Sequence, residues 1–265
     1  MYTRPIVPQD ITGILDDFFR LYAASLKTVL PLSFLSSVLG VLPQAAIMLM
    51  DINPETADFS ATLAITGIGL LPLIMLAAFV LCAGLVLQID AFSKGQSLAV
   101  GDAVMGGLPV FFPVLIASLL YGFGVIIGFI LLVVPGIILS IYWVLFIPAA
   151  IIDRAGPIGS FSRSYQLIRG SWWRTTILFT VFMLINIVIY TILIVFFIGG
   201  AIGGMSAAGD MDPTIVNIIS LVFASILTTF ITPCYLCFLL AIHHDLVLRK
   251  EGSDLAARIN NAVSA

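Results

Sequence analysis

Long apolar runs alternate with short polar clusters along the whole chain. A helix crossing about 30 Å of hydrocarbon takes roughly 20 apolar residues. Six stretches read that way: Thr28 to Met50, Ala61 to Ile89, Val110 to Val133, Ile137 to Ile152, Thr175 to Ile198 and Thr214 to Leu240. The fourth is short, about 24 Å as a helix, so the apolar block from Pro109 to Ile152 is either a tight hairpin of two spans or a re-entrant pair. Pro135 and Gly136 mark the expected turn, since proline lacks an amide donor and glycine permits positive φ.

Between the runs the periodicity changes. Ile11, Ile14, Leu15, Phe18, Phe19, Tyr22 and Leu26 recur every three or four residues among Asp10, Asp16, Asp17, Arg20 and Lys27, the pattern of an amphipathic helix lying at the interface. Ile158, Phe161, Tyr165 and Ile168 form a second stripe, and Leu255, Ile259 and Val263 a weaker third. The even spans end alike, in LQID-AFSKG, AIID-RAG and IHHD-LVLRKEG, each placing an acid (Asp90, Asp153, Asp245) where the span leaves the membrane, with Gly95, Gly156 or Gly252 after it. These recurrences suggest three units in parallel orientation. The expected fold is an all-α polytopic membrane protein, its six transmembrane helices forming three hairpins, each preceded by a cytoplasmic interfacial amphipathic helix. Residues 1–265 then make a single membrane domain: an interfacial helix over 9–27, two spans over 28–93, a cytoplasmic segment over 95–108, two spans over 109–152, an interfacial helix over 156–172, two spans over 173–248 and a cytoplasmic tail over 249–265.

Composition agrees. The chain is 61% hydrophobic and 9% charged, where soluble domains carry about 25% charged residues. With a net charge of -3 and no long basic run, nucleic acid is excluded as a partner. All 11 basic residues fall on one side of the predicted spans, and the opposite loops hold only Asp51, Glu55, Asp58, Asp210 and Asp212. By the positive-inside rule both termini face the cytoplasm. The adjacent acids Asp16 and Asp17, and the lack of a small-residue cleavage site, speak against a removable signal peptide.

With those elements placed, two segments resemble a known family. VPGIILSIYWVLFIPAAIIDRAGPIGSFSRSYQLIRGSWWRT, Val134 to Thr175, is similar to the PGI…P…E…AL.RSW.L..G.WWR stretch of YciC-type bacterial inner-membrane proteins, which are related to the membrane domain of some glycerophosphoryl diester phosphodiesterases. HHDLVLRKEGSDL, His243 to Leu255, resembles the Y.DLR.R.EG.DL ending of that group. Here His243 and His244 stand where aromatics are common, and Val247 replaces the first arginine. The resemblance implies a bacterial inner-membrane protein with a role in envelope integrity. It carries over no hydrolytic activity, because the sequence holds no soluble phosphodiesterase barrel.

Candidate chemistry is sparse. No predicted span interior contains a charge, the usual mark of a coupled transporter. Asp90, Asp153 and Asp245 read as interfacial acids. Arg163, Arg169, Trp172, Trp173 and Arg174 form a basic and aromatic patch suited to anchoring or to an anionic lipid headgroup. Cys234, Cys237, His243 and His244 invite a metal, but on one helix Cys234 and His244 lie about 15 Å apart along the axis, so they cannot close a tetrahedral site. Gly124/Gly128, Gly199/Gly203 and Gly200/Gly204 are small-residue steps for close helix packing, within one chain or between chains. Nucleophile, metalloprotease and phosphate-loop motifs are missing, so no catalytic, cofactor or metal residue is assigned. The reading is a non-enzymatic protein supporting envelope or lipid homeostasis through membrane lipids, anionic ones among them, or through a second copy or another membrane protein. The alternative is a permease or channel for a small solute, its path lined by Asn186, Asn217, Thr228, Thr229 and Thr232.

Overall fold

The computed structural model describes residues 2–49, 69, 71–208 and 213–263. Asp51, Glu55, Asp58, Asp210 and Asp212 lie outside the described residues. Every regular element among those described is helical: α1 (Ile11–Leu49), α2 (Leu71–Ser93), α3 (Val100–Gly107), α4 (Phe111–Leu131), α5 (Val133–Trp143), α6 (Phe146–Ile151), α7 (Gly159–Ile168), α8 (Trp172–Ala208) and α9 (Pro213–Val263). Among the described residues six segments are long and apolar enough to cross a membrane, α5 and α6 together making the fourth. The chain is an all-α polytopic membrane protein.

The first amphipathic stretch and the first span are one helix. Asp10 caps it, accepting from the amide of Gly13 at 2.8 Å and the hydroxyl of Thr12 at 2.7 Å. No residue between Arg20 and Thr28 interrupts the backbone ladder, so α1 runs 39 residues, about 58 Å. α9 likewise carries the last span through Gly252 into the weak third stripe. Gly95 does what its position suggests: at φ +75° it closes α2, with its amide on Phe92 O and that of Gln96 on Ala91 O, a left-handed cap that satisfies the last carbonyls.

The reversal between α4 and α5 falls at Leu132, in extended conformation (φ -167°, ψ 145°), three residues before the expected Pro135–Gly136. Pro135 instead sits in the first turn of α5, where an amide would have no helical acceptor in any case. Gly136 serves contact rather than turning. A methyl group there would stand 2.9 Å from the backbone nitrogen of Phe129, and one on Gly128 3.0 Å from Gly136 Cα. The Gly124/Gly128 step therefore packs α4 on α5 within one chain, with Trp143 over Gly124. Pro148 cannot donate to Val144, and the run breaks at Val144–Leu145. Ser164 of α7 bridges that break, accepting from Leu145 N at 3.2 Å and donating to Tyr142 O at 2.7 Å.

Burial is concentrated toward the end where α1, α8 begin and α2, α6 finish. Phe238 of α9 stacks on Phe182 of α8 at 4.1 Å and meets Phe18 of α1 and Phe179 edge-on. Away from that end the apolar side chains face outward, as on α4 from Phe129 to Leu131 and on α8 at Ile187 and Val188. That surface suits hydrocarbon. Along the α1/α9 seam Ser33, Ser37, Ser225 and Thr229 are buried, the hydroxyl of Ser37 bonding those of Ser225 and Thr229 and the hydroxyl of Ser33 donating to the backbone carbonyl of Thr229.

Candidate functional site

Successive residues of a helix point about 100° apart, so three in a row address three different neighbours. His243, His244 and Asp245 do this on α9, and all three are buried. His243 Nε2 stands 3.1 Å from Asp153 Oδ2, on the loop after α6. His244 Nε2 stands 3.5 Å from Asp90 Oδ1 of α2, close but without hydrogen-bond geometry. Asp245 accepts from the backbone amide of Gln9 at 2.7 Å and from Arg249 Nε at 2.8 Å, with Arg174 Nη2 of α8 at 3.5 Å. The three acids that end the even spans thus converge on one turn of the last helix.

Each carboxylate has further support, as a buried charge requires. Lys94 lies 2.5 Å from Asp90. Arg163 of α7 joins Asp153 at 2.9 Å to Glu251 at 2.5 Å, and Lys250 donates to the carbonyl of Arg169 at 2.8 Å, so α7 is docked along the end of α9. Burial alone would push the Asp153 carboxyl up. The hydrogen bond and charge of His243, then those of Arg163, outweigh it and hold the carboxyl below its usual range. Asp10 is also held low, by its bonds from Thr12 and Gly13.

Residues 2–9 form an irregular strap over this end, bent at Ile6 and Val7. Tyr2 donates to Asp17 at 3.2 Å, and the carbonyl of Gln9 accepts from both Arg174 and Arg249. A groove of about 910 Å³ runs between strap and α1, with Arg4, Asp16, Asp17 and Arg20 on its walls. A second cavity of about 10 Å³ is closed in beneath the strap by Val7, Gln9, Asp17, His244 and Asp245, room for about one water.

The five residues of the basic and aromatic patch divide. Arg163 and Arg174 are engaged in ion pairs with carboxylates of the bundle. Trp172 turns partly inward toward Tyr142, while Trp173, 74% exposed, and Arg169 face outward. Of the residues suggested for a solute path, Asn186 and Thr228 bond carbonyls of their own helices, and Thr229 belongs to the α1/α9 seam. Neither cavity at the polar end is lined by Asn186, Thr228 or Thr232. Cys237 lies against Ser25 at 3.7 Å, on α1.

The sequence alone assigns no role to His243, His244 or Gln9 beyond the excluded metal site. The signal for the histidines was present in the repeat, which sets Asp90, Asp153 and Asp245 at one depth and so requires cationic or polar partners between them. For Gln9, whose backbone does the bonding, the side-chain identity carries no signal. No protein-family model, no curated protein and no solved structure matches this chain.

Proposed function

We propose that this protein is a non-enzymatic, multi-pass component of a bacterial inner membrane, with both termini cytoplasmic, that supports envelope or lipid homeostasis by binding anionic lipid headgroups at its charged end. The observation that carries this reading is the pairing of outward-facing Arg169 and Trp173 beside the ionic cluster that docks α7 on α9. An exposed indole prefers headgroup depth, and an exposed guanidinium there meets phosphate. The polar residues along the α1/α9 seam are spent on helix packing, which favours lipid contact over solute passage. The likeness of Val134 to Thr175 and His243 to Leu255 to YciC-type proteins points the same way.

The test is lipid retention. Native mass spectrometry of the full chain should show bound anionic phospholipid that falls severalfold in an Arg169→Ala, Trp173→Ala variant. This pair is preferable to Arg163 or Arg174, which are engaged with Asp153 and Asp245 of the bundle. Unchanged retention would refute the reading.

A further inference from the structure

We propose that Arg174 and Arg249 form a site for a phosphate oxyanion, of the kind a phospholipid headgroup carries, and that the backbone carbonyl of Gln9 occupies it as an internal surrogate. This deepens the lipid-binding reading above and rests on it.

Two guanidinium groups from different helices converge on one carbonyl oxygen, the Nη2 atoms of Arg174 and Arg249 both donating to Gln9 O. A peptide oxygen is a poor match for that donor set. It offers one acceptor atom and no net charge, whereas guanidinium forks are matched by oxyanions with two free oxygens. The mismatch is visible: Arg174 Nε is buried with no hydrogen-bond partner. Asp245 and Asp10 both act on Arg174, and Asp245 also pairs with Arg249, so the match to an oxyanion is one of donor geometry: the Nε and Nη2 fork of Arg174 meets a single acceptor atom. Arg174 also follows Trp172 and the exposed Trp173 at the start of α8, which sets the site beside the surface proposed for headgroups.

The surrogate is held by a segment able to leave. Residues 2–9 have no regular structure, and Ile6 and Val7 are exposed at 86% and 58%. The strap is fixed mainly at its two ends, by Tyr2 to Asp17 and by Gln9 to Asp245, Arg174 and Arg249. A phosphate oxyanion taking the place of Gln9 O would supply the second oxygen that Arg174 Nε lacks and would release the strap from α9. The strap is therefore a competitor for the headgroup.

Hydrogen–deuterium exchange of the full chain in micelles reads this directly, through the Gln9 amide that Asp245 now protects. Three conditions are compared: maltoside micelles free of phosphate, the same micelles with phosphatidylglycerol, and the same micelles with inorganic phosphate. Severalfold faster exchange at Gln9 with phosphatidylglycerol only supports the site with a lipid headgroup as its source; faster exchange with inorganic phosphate supports it with a free anion. Arg174→Gln and Arg249→Gln, made separately so that Asp245 keeps one arginine, should each abolish the response. Equal exchange in all three conditions, or a response that survives both substitutions, overturns the proposal. The Arg169→Ala, Trp173→Ala variant separates this from the surface reading: its strap should still respond to the added anion even where bound lipid has fallen, and a lost response there counts against a distinct two-arginine site.

Discussion

Ser33 donates its hydroxyl to the backbone carbonyl of Thr229 at 2.6 Å, the carbonyl that Pro233 leaves without its helical donor. Proline removes the amide that would have bonded four residues back, and in hydrocarbon no water replaces it. The hydroxyl from α1 does so, coupling the proline in one helix to a serine in another.

Ser33→Ala should therefore destabilise the α1/α9 pair by about 0.6 kcal/mol, and by up to about 1.7 kcal/mol, the range for interhelical hydrogen bonds in membranes. The cost should shrink in a Pro233→Ala background, where α9 regains its own bond. A double-mutant cycle on unfolding in mixed micelles measures this, and equal costs in both backgrounds would contradict it.

Two glycines of the α4/α5 hairpin should respond oppositely to alanine. Nothing lies within 4 Å of a methyl group on Gly122, so Gly122→Ala should be neutral or stabilising by up to about 1 kcal/mol. Gly136→Ala meets the Phe129 backbone at 2.9 Å and should cost about 1–3 kcal/mol. Thermal melts of the two variants in one detergent check the sign of each.

Asp153 sets an acid limit on the docking of α7 and α9. Its folded-state carboxyl lies below the ordinary value of 3.8, so the folded state binds the proton less readily than the unfolded one. The resulting stabilisation is complete above the unfolded value and disappears as pH falls below about 4 and on through the folded value. Exchange protection in α7 should hold from neutrality down to that window and then drop. Asp153→Asn should show weaker protection at neutral pH and no such drop.

Orientation is open to labelling. A cysteine introduced beside Glu55 or Asp210 should react with an impermeant reagent in intact cells, and one beside Arg163 should stay silent. The reverse pattern would turn the proposed topology over.

Much of the architecture is written in the hydrophobic pattern, because a bilayer forces each crossing to be a long apolar helix. The six spans, the short fourth one and the common depth of Asp90, Asp153 and Asp245 follow from that alone. What stayed hidden depends on partners distant in sequence. Pro135–Gly136 has the composition of a turn, yet the chain reverses at Leu132, because the proline fits a first helical turn and the glycine is needed where two backbones nearly touch. His243 and His244 stand side by side with no local partner in the sequence, yet each ring meets an acid from a different hairpin. Arg163 and Arg174 look like free headgroup ligands in a linear reading, since nothing local reveals Glu251, Asp153 or Asp245 beside them.

Asp90 and Asp153 each pair with a nearby basic residue, Lys94 or Arg163, and then with a histidine of α9. Gln9, ahead of α1, binds Asp245 of α9. These bonds tie the third hairpin both to the first and to the second, so the three hairpins are joined in a circle rather than laid side by side.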